Sequence, residues 1–150
     1  MRSLIKVALI ACIGLGVAGT ASAQQLKPED TVKLRQGLML ATKLQFGALG
    51  AYAQGKGDLP ADAAARVDNL QALVTMYGPG FVKGSEGFPG SEAKAGSFAQ
   101  ADFAKAAETY GAELTKLSAA AKSGNAEAIK VAAGAVGKAC KGCHEVSKKD

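Results

Sequence analysis

The sequence predicts an all-α chain, a four-helix bundle, on three features. Four long stretches repeat apolar residues at three- and four-residue intervals, the period of a helix that buries one face. Clusters of turn-forming residues, Gly55-Lys56-Gly57-Asp58, Gly78-Pro79-Gly80 and Ser123-Gly124-Asn125, separate those stretches. No segment alternates apolar and polar residues as a half-buried strand would, and no internal repeat is present.

Lys27-Pro28-Glu29-Asp30 opens the first helix. Proline is tolerated in a first turn because its missing N–H needs no partner there, and the two acids suit the positive end of the helix dipole. The helix is expected to run to about Gln54, with Val32, Met39 and Phe46 one heptad apart and Leu38, Leu49 and Tyr52 beside them. Pro60 begins a second helix reaching about Tyr77, whose inward stripe is Ala64, Val67, Leu70, Val74 and Tyr77. The link from Gly78 to Gly96 holds six glycines and two prolines, so it reads as an extended loop, of a length that is usually functional or mobile. A third helix, from about Phe98 to about Ala121, places Phe103, Ala107, Tyr110, Leu114 and Leu117 inward. Asn125 caps the fourth, which carries Ile129, Ala132, Val136, Cys140 and Cys143 on one stripe.

The fourth helix ends in Cys140-Lys141-Gly142-Cys143-His144, a C-x-x-C-H run. Two thiols and an imidazole at this spacing attach and ligate a c-type haem: the thiols add across two vinyl groups of the porphyrin, and the adjacent histidine becomes an axial ligand of the iron. On a helix Cys140 and His144 lie one turn apart with Cys143 between them, so all three share a face. Two other uses of the spacing are weaker. Zinc needs four ligands, whereas beyond Cys12 the chain offers two cysteines and one histidine. A redox dithiol normally opens a helix after a strand, whereas this one closes a helical pattern.

Arg2 and Lys6, the apolar run from Val7 to Ala18 and the small-residue site Ala21-Ser22-Ala23 form a secretory leader, so residues 1–23 are expected to be removed and residues 24–150 to form one domain. The run is shorter than the roughly 20 apolar residues of a membrane span and is interrupted by Gly14, Gly16 and Gly19. Leu9-Ile10-Ala11-Cys12 resembles a lipidation site, but would leave an apolar region of only Val7 to Ala11. The address is therefore the bacterial periplasm. Loss of the leader lowers the formal charge of +5 by two, and haem propionates lower it further, so nucleic-acid binding is not implied. Lys138, Lys141, Lys148 and Lys149 flank the haem motif and are placed to steer an acidic redox partner; an ordinary solvated helix face accounts for them equally well.

With this motif near the C-terminus, the opening Lys27-Pro28-Glu29-Asp30, the run Lys33-Leu34-Arg35-Gln36 and Val136-Gly137-Lys138 ahead of Cys140, the mature chain resembles the cytochrome c-prime family, the class II c-type cytochromes. The resemblance implies an antiparallel four-helix bundle with one covalently attached haem c. It places Arg35 and Gln36 at the haem propionates and Met39 on the distal side of the iron, and it implies a homodimer through the first two helices. Arg35 and Met39 are i and i+4 on one helix face, which agrees with a cation near propionate while the thioether faces iron. High-spin members carry a non-ligating residue at the Met39 position and bind nitric oxide or carbon monoxide at a five-coordinate iron; others use methionine there as sixth ligand and carry electrons. Methionine here gives the expectation of a six-coordinate, His144/Met39-ligated carrier of single electrons, with the gas-binding form as the alternative. Met76 is a weaker candidate ligand, and a core methionine filling a gap is the plain alternative for Met39. No enzymatic activity is expected, since peroxidase chemistry wants a distal acid and base and the single histidine is already used. The chain departs from many relatives in the Gly78 to Gly96 link, and Lys148 stands where some gas-binding members place arginine.

The interior implied by this sequence is poor in bulk, with no tryptophan and many alanines and glycines. Small side chains bury little apolar area at about 25 cal/mol per Å², and a porphyrin would supply what is lacking. The apoprotein should therefore melt well below the holoprotein; equal melting temperatures in scanning calorimetry would contradict this.

Overall fold

The computed structural model describes residues 26–150. The expected leader, its cleavage before Gln24 and Cys12 lie outside the described residues. Four helices form, α1 (Pro28–Ala53), α2 (Ala63–Thr75), α3 (Ala101–Ser123) and α4 (Ala126–Ser147). Among the described residues the extended structure is limited to one isolated bridge between Ala93 and Lys148.

Local chemistry explains the helix ends. Pro28 occupies the first turn of α1, with Glu29 and Asp30 beside it. The second helix starts three residues later than Pro60, because Asp62 adopts the capping position and the chain from Pro60 turns instead. The third starts at Ala101 rather than Phe98, because Ser97–Ala99 form a separate 3-10 turn and Gln100 is extended. Gly124 ends α3 with φ at 68°, a left-handed conformation in which a side chain would be strained. Asn125 then caps α4 as expected, its Oδ1 accepting the Ala128 N–H at 2.9 Å.

The bundle has a solid end and an open end. At the solid end Leu49, Val67, Leu70, Leu114, Leu117, Ile129, Ala133 and Val136 form a continuous buried core. These residues come from the C-terminal half of α1, the start and middle of α2, the C-terminal half of α3 and the N-terminal half of α4, the arrangement of helices running alternately up and down. The same stripes continue to the other end but do not close. Ala64 is exposed and Ala63 takes its place in the core, whereas Val67 and Leu70 of the expected α2 stripe are buried.

The connector between α2 and α3 is folded rather than loose. It makes 3-10 turns at Gly78–Gly80, Ser85–Gly87 and Ser97–Ala99, and buries Ser85, Glu86, Ser91, Ala93 and Ser97. Glycine and proline content therefore reported the absence of long elements and not the absence of order.

Truncation at the solid end, Leu70→Ala or Leu117→Ala, should cost about 2–5 kcal/mol in denaturant unfolding of the holoprotein, whereas Leu44→Ala, on a side chain 66% exposed, should stay within about 0.5 kcal/mol.

Candidate haem site

At the open end each helix contributes one wall of a cavity of about 760 Å³. From α1 come Met39, Thr42 and Phe46; from the end of α2 and the residues just past it, Val74, Tyr77 and Phe81; from α3, Phe103, Ala107 and Tyr110; and from α4, Cys140, Cys143 and His144. These are the halves of the four apolar stripes nearest the C-x-x-C-H run, facing a shared space instead of one another. A smaller cavity of about 330 Å³ adjoins it, bordered by Arg35, Gln36, Phe98, Glu92 and Lys148, and shares Met39, Phe81, His144 and Ser147 with the larger one. Phe81, Phe98 and Phe103 form an aromatic cluster at this boundary, with centroids 4.9–5.6 Å apart.

The two thiols and the imidazole are brought together by one turn of α4, as their spacing requires. Burial pushes the Cys140 thiol up, as does the nearby Cys143, and burial likewise pushes Cys143 up. A redox dithiol works through a depressed thiol pKa, so neither thiol has the character of such a nucleophile. Among the described residues no group of three or more His, Cys, Asp or Glu is placed to hold a metal ion. Burial, and then the Lys148 ammonium, lower the pKa of His144, favouring the neutral imidazole that can ligate iron.

Met39 borders both cavities together with His144. Met76 is 47% exposed and lines neither. Arg35 and Gln36 border the smaller cavity, and their hydrogen bonds run to the connector. Arg35 Nη1 donates to Gly80 O at 2.7 Å and Ser85 Oγ at 3.0 Å, and Nη2 to Ser91 Oγ at 2.9 Å. Gln36 Nε2 donates to Gly90 O at 3.0 Å. Of the basic cluster, Lys141 pairs with Glu145 and Lys148 with Glu92, while Lys149 Nζ donates to Ser91 O at 2.9 Å. Much of that charge is thus engaged within the chain.

Sequence reasoning missed Phe81 and Phe98 as site walls, because both sit in the connector, where no periodicity assigns a side to a residue. It also missed the link between Thr42 and Tyr77, whose hydroxyls lie 2.6 Å apart on the cavity wall. Thr42 occurs one turn after Leu38, to whose carbonyl it also donates at 2.8 Å, but nothing in the sequence pairs it with Tyr77.

The family model described as Cytochrome C' matches residues 30–148. The chain belongs to the cytochrome c' family. A cytochrome c' of Rubrivivax gelatinosus is 40% identical over 128 residues, covering 81% of this chain and 96% of that protein. The solved cytochrome c prime of Shewanella frigidimarina superposes with a TM-score of 0.74 at 36% identity, covering 83% of this chain and 98% of the other. A nitric oxide complex of a leucine-to-alanine variant of cytochrome c prime from Alcaligenes xylosoxidans has a TM-score of 0.73 at 31% identity, covering 83% and 97%. As a cytochrome c', the protein binds haem c covalently, and its fold is the antiparallel four-helix bundle of that family. The residues present fit the group: paired thiols and a neutral imidazole on one helix turn, facing an apolar cavity within the size range of ligand sites.

Replacing His144 with alanine should leave haem attached through Cys140 and Cys143, detectable by haem staining of a denaturing gel, yet abolish the native optical spectrum; an unchanged spectrum would remove His144 from the iron.

Proposed function

We propose that this cytochrome c' is a periplasmic protein that binds a neutral diatomic gas, nitric oxide or carbon monoxide, at an iron whose sixth position is open. It catalyses nothing by itself. The observation that carries this reading is the composition of the larger cavity, where Met39 is one of several apolar side chains, with Phe46, Val74, Phe103 and Ala107, drawn from α1, α2 and α3. A wall of that kind admits a small uncharged molecule and offers little to an anion. Its polar groups are few: Thr42 and Tyr77 satisfy each other, Ser147 donates to Cys143 O at 2.7 Å, Tyr110 stacks on Tyr77 at 6.1 Å with its hydroxyl buried and unpartnered, and Lys43 is exposed. The solved nitric oxide complex of a family member adds support.

In this reading Cys140 and Cys143 would tether the porphyrin, His144 would ligate the iron, and Met39 would line the gas site as an apolar shield and not a ligand. The haem supplies a redox-active iron that binds gas in its ferrous form. Arg35 and Gln36 border the smaller cavity, where propionates of the group would lie. The leader and the family support the periplasmic address. Leu40 and Leu44, 57% and 66% exposed one turn apart on α1, suit the homodimer that the family resemblance implies.

One observation favours the six-coordinate electron carrier as a second reading: Met39 and His144 border the same two cavities. The optical spectrum separates the two. An open site should give a high-spin ferric spectrum and a ferrous form that converts fully on adding carbon monoxide. A low-spin spectrum with a methionine-to-iron charge-transfer band, unresponsive to the gas, would sink the gas-binding reading and make Met39 the sixth ligand.

A further inference from the structure

Arg35 is among the most buried charged groups of the protein, 6% exposed, and its surroundings are unusual for a propionate partner alone. Its fork grips three points of the connector, at Gly80, Ser85 and Ser91, which lie 45 to 56 residues away in sequence. Its planar face packs on the rings of Phe98 and Phe81, with Cζ 5.0 and 5.9 Å from their centroids. The connector backbone lies directly against α1 here: a Cβ at Gly80 would sit 3.4 Å from the Cα of Arg35. A planar cation with fixed donors suits such a multipoint grip; a lysine ammonium does not.

From Ser91 the contacts continue to the other side of the site. The Ser91 hydroxyl that accepts from Arg35 also accepts the Ala93 N–H at 3.2 Å. Ala93 forms the isolated bridge with Lys148, closed by Lys94 N–H to Ser147 O and Lys149 N–H to Glu92 O, each 2.8 Å. Lys148 N–H in turn donates to the carbonyl of His144 at 2.8 Å. A continuous chain of contacts therefore runs from α1, one turn before Met39, to the backbone of the proximal histidine. Gln36 adds a parallel tie through Gly90.

We infer that Arg35 is a positioning residue for His144: through Ser91 and the connector it clamps the last turn of α4, so that the α1 wall and the axial imidazole are held as one unit. The clamp is distinct from any contact of Arg35 with propionate, and it holds whether the iron carries five or six ligands.

The test uses the ferric holoprotein and the variant Ser91→Ala, which cuts the chain of contacts while leaving the Arg35 cation in place. Hydrogen bonds to a charged group contribute enough that exchange of the Lys94 and Lys149 amides should accelerate by about tenfold or more. The amides of Leu70 and Leu117 should keep their wild-type rates. The paramagnetically shifted proton resonances of His144, visible in either spin state, should move, and Arg35→Gln should move them in the same direction. Unchanged exchange at Lys94 and Lys149 would overturn the proposal. So would acceleration equal to that of the helix interior, which signals general loosening, or unmoved His144 resonances. If Arg35→Gln does not fold, Ser91→Ala decides alone.

Discussion

The structure depends on a mismatch between four helices and their side chains. All four stripes have branched residues that meet at the solid end, as at Leu49, Leu70, Leu114, Leu117 and Ile129. Towards the other end α4 offers Cys140 and Cys143 and α3 offers Ala107, and the helices enclose a space that no side chain fills. Packing at interior density is what stabilises a bundle, so a bundle with this space is complete only with a large apolar group inside it. Covalent attachment through one turn of α4 is the direct way of fixing such a group in register with the walls.

The second constraint is the buried cation of Arg35. Moving a guanidinium out of water is costly unless its donors find acceptors, and here they come from the connector. Burial draws the Arg35 pKa down and the charge of Glu86 opposes that effect, but arginine starts so far above neutrality that it stays charged. The connector owes its order to this arrangement and to its pairing with the residues after His144. A segment rich in glycine thus becomes a wall of the site, contributing Phe81, Glu92, Ala93 and Phe98.

The helices were legible because period and punctuation are local. Apolar spacing placed all four, and Asn125 and Gly124 marked a junction that the structure reproduces. The starts of α2 and α3 were less legible: Pro60 and Phe98 both look like first residues, yet the chain turns once more before each helix. The cysteines and histidine were legible because three side chains on one helix turn need no tertiary information to converge. Arg35 and Gln36 were found, but their connector partners, 45 residues or more along the chain, were not.

By itself, then, the sequence determined the class of fold, the helices, and the C-x-x-C-H run that brings Cys140, Cys143 and His144 together on one helix turn, all of which follow from spacing within a few turns of chain. Only the tertiary structure decided that the inner stripes part at one end to leave the cavity. It also decided that Met39 lines this cavity, that Phe46 lines it while packing against the core, and that the connector closes the site by joining Arg35 to the end of α4. The physical reason is the same for each: whether an apolar or charged side chain meets a partner or a space depends on helices distant in sequence, and periodicity specifies which face a residue is on but not what faces it.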